Sequence, residues 1–140
     1  TLDGANVEIR DHVGAENIFI FGLTAEEVAA RRNGGYDAGA AIESSAELKG
    51  VLDALASGVF SPNDHARYRP IADSLYHGDW FMVAADFEAY SAAQREADAL
   101  WSKPGDWTEK AILNTVHMGW FSSDRTIRDY ARDIWHVSVD

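Results

Sequence analysis

Apolar residues recur at helical spacing through most of this chain, and the recurrences open on capping residues and close on glycine or proline. Asp3 is placed to cap a short helix through Val7 and Ile9 that the turn at Val13-Gly14 would end. Thr24 to Glu27 reads as a capping box, Thr at the N-cap and Glu three residues on, so a helix should run from there to Gly34-Gly35. A second box, Ser44 to Glu47, predicts a helix that turns Leu48, Val51, Leu52 and Leu55 to one face and stops at Gly58. Ser61-Pro62 predicts a further start ahead of Tyr68, Ile71, Ala72 and Leu75. Asp86 then opens a long stretch carrying Phe87, Tyr90, Ala97 and Trp101 until Lys103-Pro104-Gly105 breaks it. Asp106 to Glu109 begins the next helix, with Trp107, Ala111, Ile112 and Val116 leading to Gly119. Ser123 precedes the last, with Ile127, Tyr130, Ala131 and Ile134 on one side and the pairs Asp124/Arg128 and Arg125/Asp129 on the other, a solvated face.

One segment breaks the helical period. Residues 17 to 22, Asn-Ile-Phe-Ile-Phe-Gly, form a short apolar run rich in β-branched and aromatic side chains, which predicts a buried strand. A strand apolar on both faces belongs in a parallel sheet under covering helices. No second segment here matches it, so its ladder partners are expected from outside these residues. No repeat, low-complexity tract or charge block marks a linker.

Composition narrows the function classes. The 140 residues carry 12 Lys and Arg against 23 Asp and Glu, a formal charge of −11 that opposes binding to nucleic acid or to an anionic membrane surface. No apolar run approaches a membrane span, and the first residues lack the pattern of a signal peptide. Cysteine is absent, which removes thiolate chemistry and fits a reducing, cytoplasmic setting. His12, His65, His77, His117 and His136 show no metal-ligand spacing, and His77-Gly78-Asp79, the tightest such group, reads as a surface hydrogen bond. Ser57 and Ser122-Ser123 lie in no nucleophile elbow, and no phosphate-cradling glycine motif occurs. A cofactor held through an amine would need a lysine, yet Lys49, Lys103 and Lys110 all read as solvated. The tryptophans Trp80, Trp101, Trp107, Trp120 and Trp135 crowd the second half and are expected in core or interface packing.

Longer residue strings carry more. Asp3-Gly4-Ala5-Asn6-Val7-Glu8, then Gly14-Ala15-Glu16-Asn17-Ile18-Phe19-Ile20-Phe21-Gly22, closely resembles the α-glucan (glycogen, starch or maltodextrin) phosphorylases. Gly35-Tyr36, Ser57-Gly58-Val59-Phe60-Ser61, and Ala85-Asp86-Phe87 through Tyr90 and Gln94 follow in the family's order. Asn114, Gly119-Trp120-Phe121-Ser122-Ser123-Asp124-Arg125-Thr126-Ile127, Tyr130-Ala131 and Ile134-Trp135 resemble its C-terminal signature.

The resemblance implies an α/β, helix-rich fold: the C-terminal part of the second Rossmann-like domain of a glycosyltransferase-B type enzyme, about one buried strand followed by mainly helices. Residues 1–122 would belong to that domain, and residues 123–140 would form a terminal helix packing back on the first. It also implies phosphorolysis of an α-1,4-glucan by orthophosphate to glucose 1-phosphate, pyridoxal phosphate as cofactor in the full enzyme, and a homodimer. The family's cofactor lysine and its glucose and phosphate ligands would precede Thr1. The resemblance therefore assigns no catalytic, cofactor-binding or metal-binding residue here, and expects the segment alone to be inactive. The alternative from another class is a free-standing helical interaction module derived from such a tail.

Overall fold

A computed structural model describes residues 4–138, and among them the regular structure is helical. The helices are α1 (Gly4–Val13), α2 (Ala25–Asn33), α3 (Ala38–Ser44), α4 (Ala46–Ser57), α5 (Arg69–Gly78), α6 (Val83–Trp101), α7 (Pro104–His117) and α8 (Ser123–Tyr130). Short 3₁₀ turns occupy Ala15–Asn17 and Met118–Phe121, and a π-helical turn, Ala131–Trp135, continues α8. The chain divides into two compact units, one Phe21–Glu96, the other Gly4–Ile20 together with residues 97–138. The expected cap Asp3 lies outside the described residues, and Gly14, at φ 91°, follows α1 where the turn was read.

Capping decides the boundaries in the first unit. The Thr24 box is complete: Glu27 N–H donates to Thr24 Oγ1 (3.2 Å) and Thr24 N–H to Glu27 Oε2 (2.8 Å). That bond from the Thr24 backbone, with the threonine hydroxyl second, lowers the Glu27 pKa. The second box is shifted by one residue. Ser45, not Ser44, caps α4 through Leu48 N–H (3.1 Å), because Ser44 closes α3 and returns its hydroxyl to Ala41 O (2.7 Å). Helix α3 itself is capped by Asp37 at Ala40 N–H (3.0 Å), and its small Ala and Gly residues give no apolar period that would predict it. The start expected at Ser61-Pro62 is a run of turns; α5 begins at Arg69, with Pro70 in its first turn.

Helices α3, α4 and α5 pack on one another around Ile42, Leu48, Leu52 and Ala72, with Ala84 of α6 closing the cluster. Leu55 and Leu75 reach it, but Val51 and Ile71 are exposed against the reading. Asp86 is not the cap of α6; it lies in the first turn, buried, and accepts Leu23 N–H (2.8 Å). Gly22 lets the chain pass beside it. At φ 91° its missing Cβ would stand 2.5 Å from Asp86 Oδ2.

The buried strand does not form. Ile18 is extended (φ −145°, ψ 142°), but residues 18–22 enter no β-ladder among the described residues, none is buried, and Phe19 is 41% exposed. The physical reason is the missing partner: a ladder needs a neighbouring strand, and helices cannot supply one. The described chain is helix-rich and without a sheet.

In the second unit, Val13 is fully buried and its carbonyl accepts from Asn17 Nδ2 (2.8 Å), with His117 Nδ1 also near it (3.4 Å). Helix α7 holds the 3₁₀ turn by two side chains: Asn114 Nδ2 donates to Asn17 O (3.1 Å) and Lys110 Nζ to Glu16 O. Its start is Lys103-Pro104, earlier than the expected Asp106. On α8, Arg125 pairs with Asp129 (2.6 Å), as the spacing predicted, and Asp129 also takes Arg132 (2.9 Å).

Candidate functional site

A concavity of the first unit, about 550 Å³, lies where the end of α2 and the start of α3 meet the turn between α5 and α6. Its organising residue is Asp79, which is buried. One carboxylate oxygen accepts Val83 N–H (2.8 Å), the other Ala84 N–H (2.9 Å), so Asp79 satisfies the opening donors of α6. Tyr36 Oη donates to the second oxygen (2.9 Å), tying the loop before α3 to this turn. Burial, then the bond to the carboxylate and its charge, push the Tyr36 phenol above its ordinary range. Met82, buried at φ 55°, completes the bend that brings Trp80 to the rim.

Trp80 is 65% exposed. Arg32 holds it from one side, the guanidinium 4.1 Å from the ring centroid while Nη2 donates to Trp80 O (2.8 Å). Asp37, Tyr76 and His77 line the remaining wall. The reading of His77-Gly78-Asp79 as a surface hydrogen bond is thus corrected: His77 is exposed, but Asp79 is a buried anchor. Its signal was faint, an aspartate four residues before a helix start, with Tyr36 43 residues away in sequence.

The other candidates are scattered. His12 stacks on Trp120 (centroids 4.5 Å apart), whose ring also carries Arg125 at 4.0 Å. His65 packs under Gly58, and His136 Nδ1 meets Arg132 O at 3.1 Å. Ser57 returns its hydroxyl to Ala54 O (2.9 Å), and Ser122 precedes α8 without a side-chain cap bond. Among the described residues no three His, Asp or Glu gather for a metal ion, and no helix is long and apolar enough to cross a membrane.

The lysines do not fit an aldehyde cofactor. Lys49 pairs with Asp53 (3.0 Å) and Glu43 (3.8 Å), which raise its pKa, bond to Asp53 first. Lys103 is exposed, and Lys110, which is not buried, donates its ammonium to the Glu16 carbonyl. An amine that must be neutral to attack an aldehyde needs a desolvated site without a carboxylate partner, and none of the three has one.

The tryptophans, expected in core or interface packing, are none of them buried within this chain. Trp80, Trp101, Trp120 and Trp135 are exposed, and Trp107 is half-buried with its ring edge-on to Trp101 (4.9 Å). Within the second unit, Ile127, Tyr130, Ile134 and Trp135, along α8 and its π-helical extension, are all exposed.

Comparison with known proteins shows the family. A family model described as carbohydrate phosphorylase matches residues 1–137. The chain belongs to the carbohydrate phosphorylase family. It is 49% identical over 137 residues to a glycogen phosphorylase of Synechocystis, covering 98% of this chain and 16% of that one. The human brain form of glycogen phosphorylase is 47% identical over 137 residues, with the same two coverages. A Chlamydia pneumoniae glycogen phosphorylase is 46% identical over 138 residues, 98% of this chain and 17% of its own. This phosphorylase-family chain thus spans about one sixth of the relatives it matches.

Proposed function

We propose that this chain is the C-terminal segment of an α-glucan phosphorylase that moves the terminal glucosyl unit of an α-1,4-glucan to orthophosphate. In that reaction the C1–oxygen bond to the glucan breaks, a C1–oxygen bond to phosphate forms with retained configuration, and the departing glucan oxygen receives a proton. The carrying observation is the 49% identity over 98% of the chain to a glycogen phosphorylase. Pyridoxal phosphate and the reacting sugar are assigned to residues outside this chain, because its lysines are exposed or engaged. Homodimer formation and a cytoplasmic setting belong to the same reading.

Residues 18–22 become a strand of a parallel sheet in the second Rossmann-like domain once a neighbouring strand is present; the extended backbone of Ile18 supports this. Residues 1–122 would lie in that domain. Residues 123–140 would carry the Ile127, Tyr130, Ile134 and Trp135 face to the first domain, a role supported by the exposure of all four side chains.

The test is an assay of glucose 1-phosphate release from maltodextrin and orthophosphate, run on the complete protein containing this chain and on the 140 residues alone. Release is expected from the complete protein only. Release by the 140 residues, or none by the complete cofactor-loaded protein, overturns the reading.

A further inference from the structure

We infer that the Asn33-Gly34 junction, where α2 ends, is a modification site at which Asn33 loses ammonia and becomes isoaspartate or aspartate. The reaction needs only water. The backbone nitrogen of Gly34, its proton passed to solvent, attacks Asn33 Cγ and forms the N–C bond of a succinimide ring. The bond from Cγ to Nδ2 breaks, and the departing nitrogen takes up a proton as ammonia. Water then opens the ring at either carbonyl, leaving aspartate or a main chain rerouted through the side-chain carbons.

The sequence singles out this junction. Among the five asparagines, Asn6, Asn17 and Asn114 precede Val7, Ile18 and Thr115, whose branched Cβ shields the attacking nitrogen, and Asn63 precedes Asp64. Asn33 alone precedes a residue without a Cβ.

The structure adds freedom of movement. Asn33 is exposed, and its carboxamide makes no hydrogen bond among the described residues. Those of Asn17 and Asn114 are held by Val13 O (2.8 Å) and Asn17 O (3.1 Å). Gly34 N–H does donate to Ala30 O (2.9 Å), but the helix closes weakly beyond it: Gly35 N–H reaches Arg32 O only at 3.4 Å, and a Cβ built on Gly35 would meet nothing within 4 Å. Fraying of this last turn frees the Gly34 nitrogen at a cost of only several-fold in rate.

The segment from Arg32 to Tyr36 is pinned at both ends, Arg32 Nη2 on Trp80 O (2.8 Å) and Tyr36 Oη on Asp79 (2.9 Å). Isoaspartate adds a main-chain carbon between these anchors, so the aged chain bulges or releases one of them. The new carboxylate also opposes the negative end of the α2 dipole.

Incubating the complete protein at mildly alkaline pH tests this, with peptide mapping by mass spectrometry and isoaspartyl methyltransferase labelling as readouts. Asn33 is expected to convert at least about tenfold faster than Asn63, which is equally open to solvent but precedes aspartate. Gly34→Ala, at a φ of −82° that accepts a side chain, should slow conversion about tenfold. Asn33→Gln, which would have to close a larger ring, should remove the labelling. In the aged parent, amide exchange at Gly35 and Tyr36 should quicken. Conversion of Asn33 no faster than that of Asn63, or unslowed in Gly34→Ala, overturns the site. Unchanged exchange in the converted protein overturns the link to the two anchors.

Discussion

Asp79 and Tyr36 show how one buried carboxylate joins segments far apart in sequence. The phenol donates at 2.9 Å to an oxygen that also accepts Ala84 N–H, and its pKa is raised by burial first and by that bond second. A group with a raised folded pKa contributes stability that is complete below its unfolded value, here 10, and lost as pH climbs toward the folded one. The native state holds the proton longer, so stability should fall with pH above about 10. Tyr36→Phe is expected to cost about 1 kcal/mol at neutral pH, the usual net value of one hydrogen bond. It should also flatten the alkaline decline. Denaturant unfolding at pH 7 and pH 11 checks both; an equally steep decline in the variant would show that Tyr36 titrates as an ordinary phenol.

At the scale of elements, two adjacent serines make a sharp comparison. Ser45 is buried, caps α4 at Leu48 N–H and donates to Glu88 (2.6 Å), whereas Ser44 is exposed and only returns its hydroxyl to its own helix. Ser45→Ala should therefore lower stability by about 1–2 kcal/mol, the loss of an N-cap. Ser44→Ala should change it by less than about 0.5 kcal/mol, as surface substitutions do. Urea unfolding of the two variants measures this, and a reversed order would restore Ser44 as the cap. The same scale holds the turn at residues 79–82, where Asp79 rather than a residue at the helix boundary supplies the opening acceptors of α6.

For the whole molecule, the exposed face of α8 and its π-helical extension is the feature that the 140 residues alone do not explain. Ile127, Tyr130, Ile134 and Trp135 lie about half exposed, while Arg125, Asp129 and Arg132 form an ion-pair network beside them. Under the proposed assembly Trp135→Ala should cost about 3 kcal/mol in the complete protein, the scale of emptying a large aromatic site. In the 140 residues alone, where the indole is 54% exposed and touches Tyr130 edge-on at 6.0 Å, the cost should be below about 1 kcal/mol. Guanidinium unfolding of both forms makes the comparison. Equal costs in the two would mean that no other part of the protein covers this face.

Local chemistry determined much of this chain without help from its tertiary context. The complete Thr24 box, the stop at Gly58, the break at Pro104 and the Arg125–Asp129 pair each depend on atoms within about one helical turn, so they could be read from spacing alone. Family membership was legible in longer strings, because such strings preserve an identity that periodicity does not encode. What tertiary structure decided depends on partners far along the chain. Ser45 displaced Ser44 once α3 formed, Asp79 became a buried anchor only when Tyr36 arrived, and Lys110 found its acceptor 94 residues away. The concavity at Trp80 was invisible for the same reason: its walls come from α2, α3 and the α5–α6 turn. Residues 18–22 mark the remaining boundary, since an apolar β-branched run encodes an extended backbone but a ladder requires a second strand, and no described segment of this chain provides it.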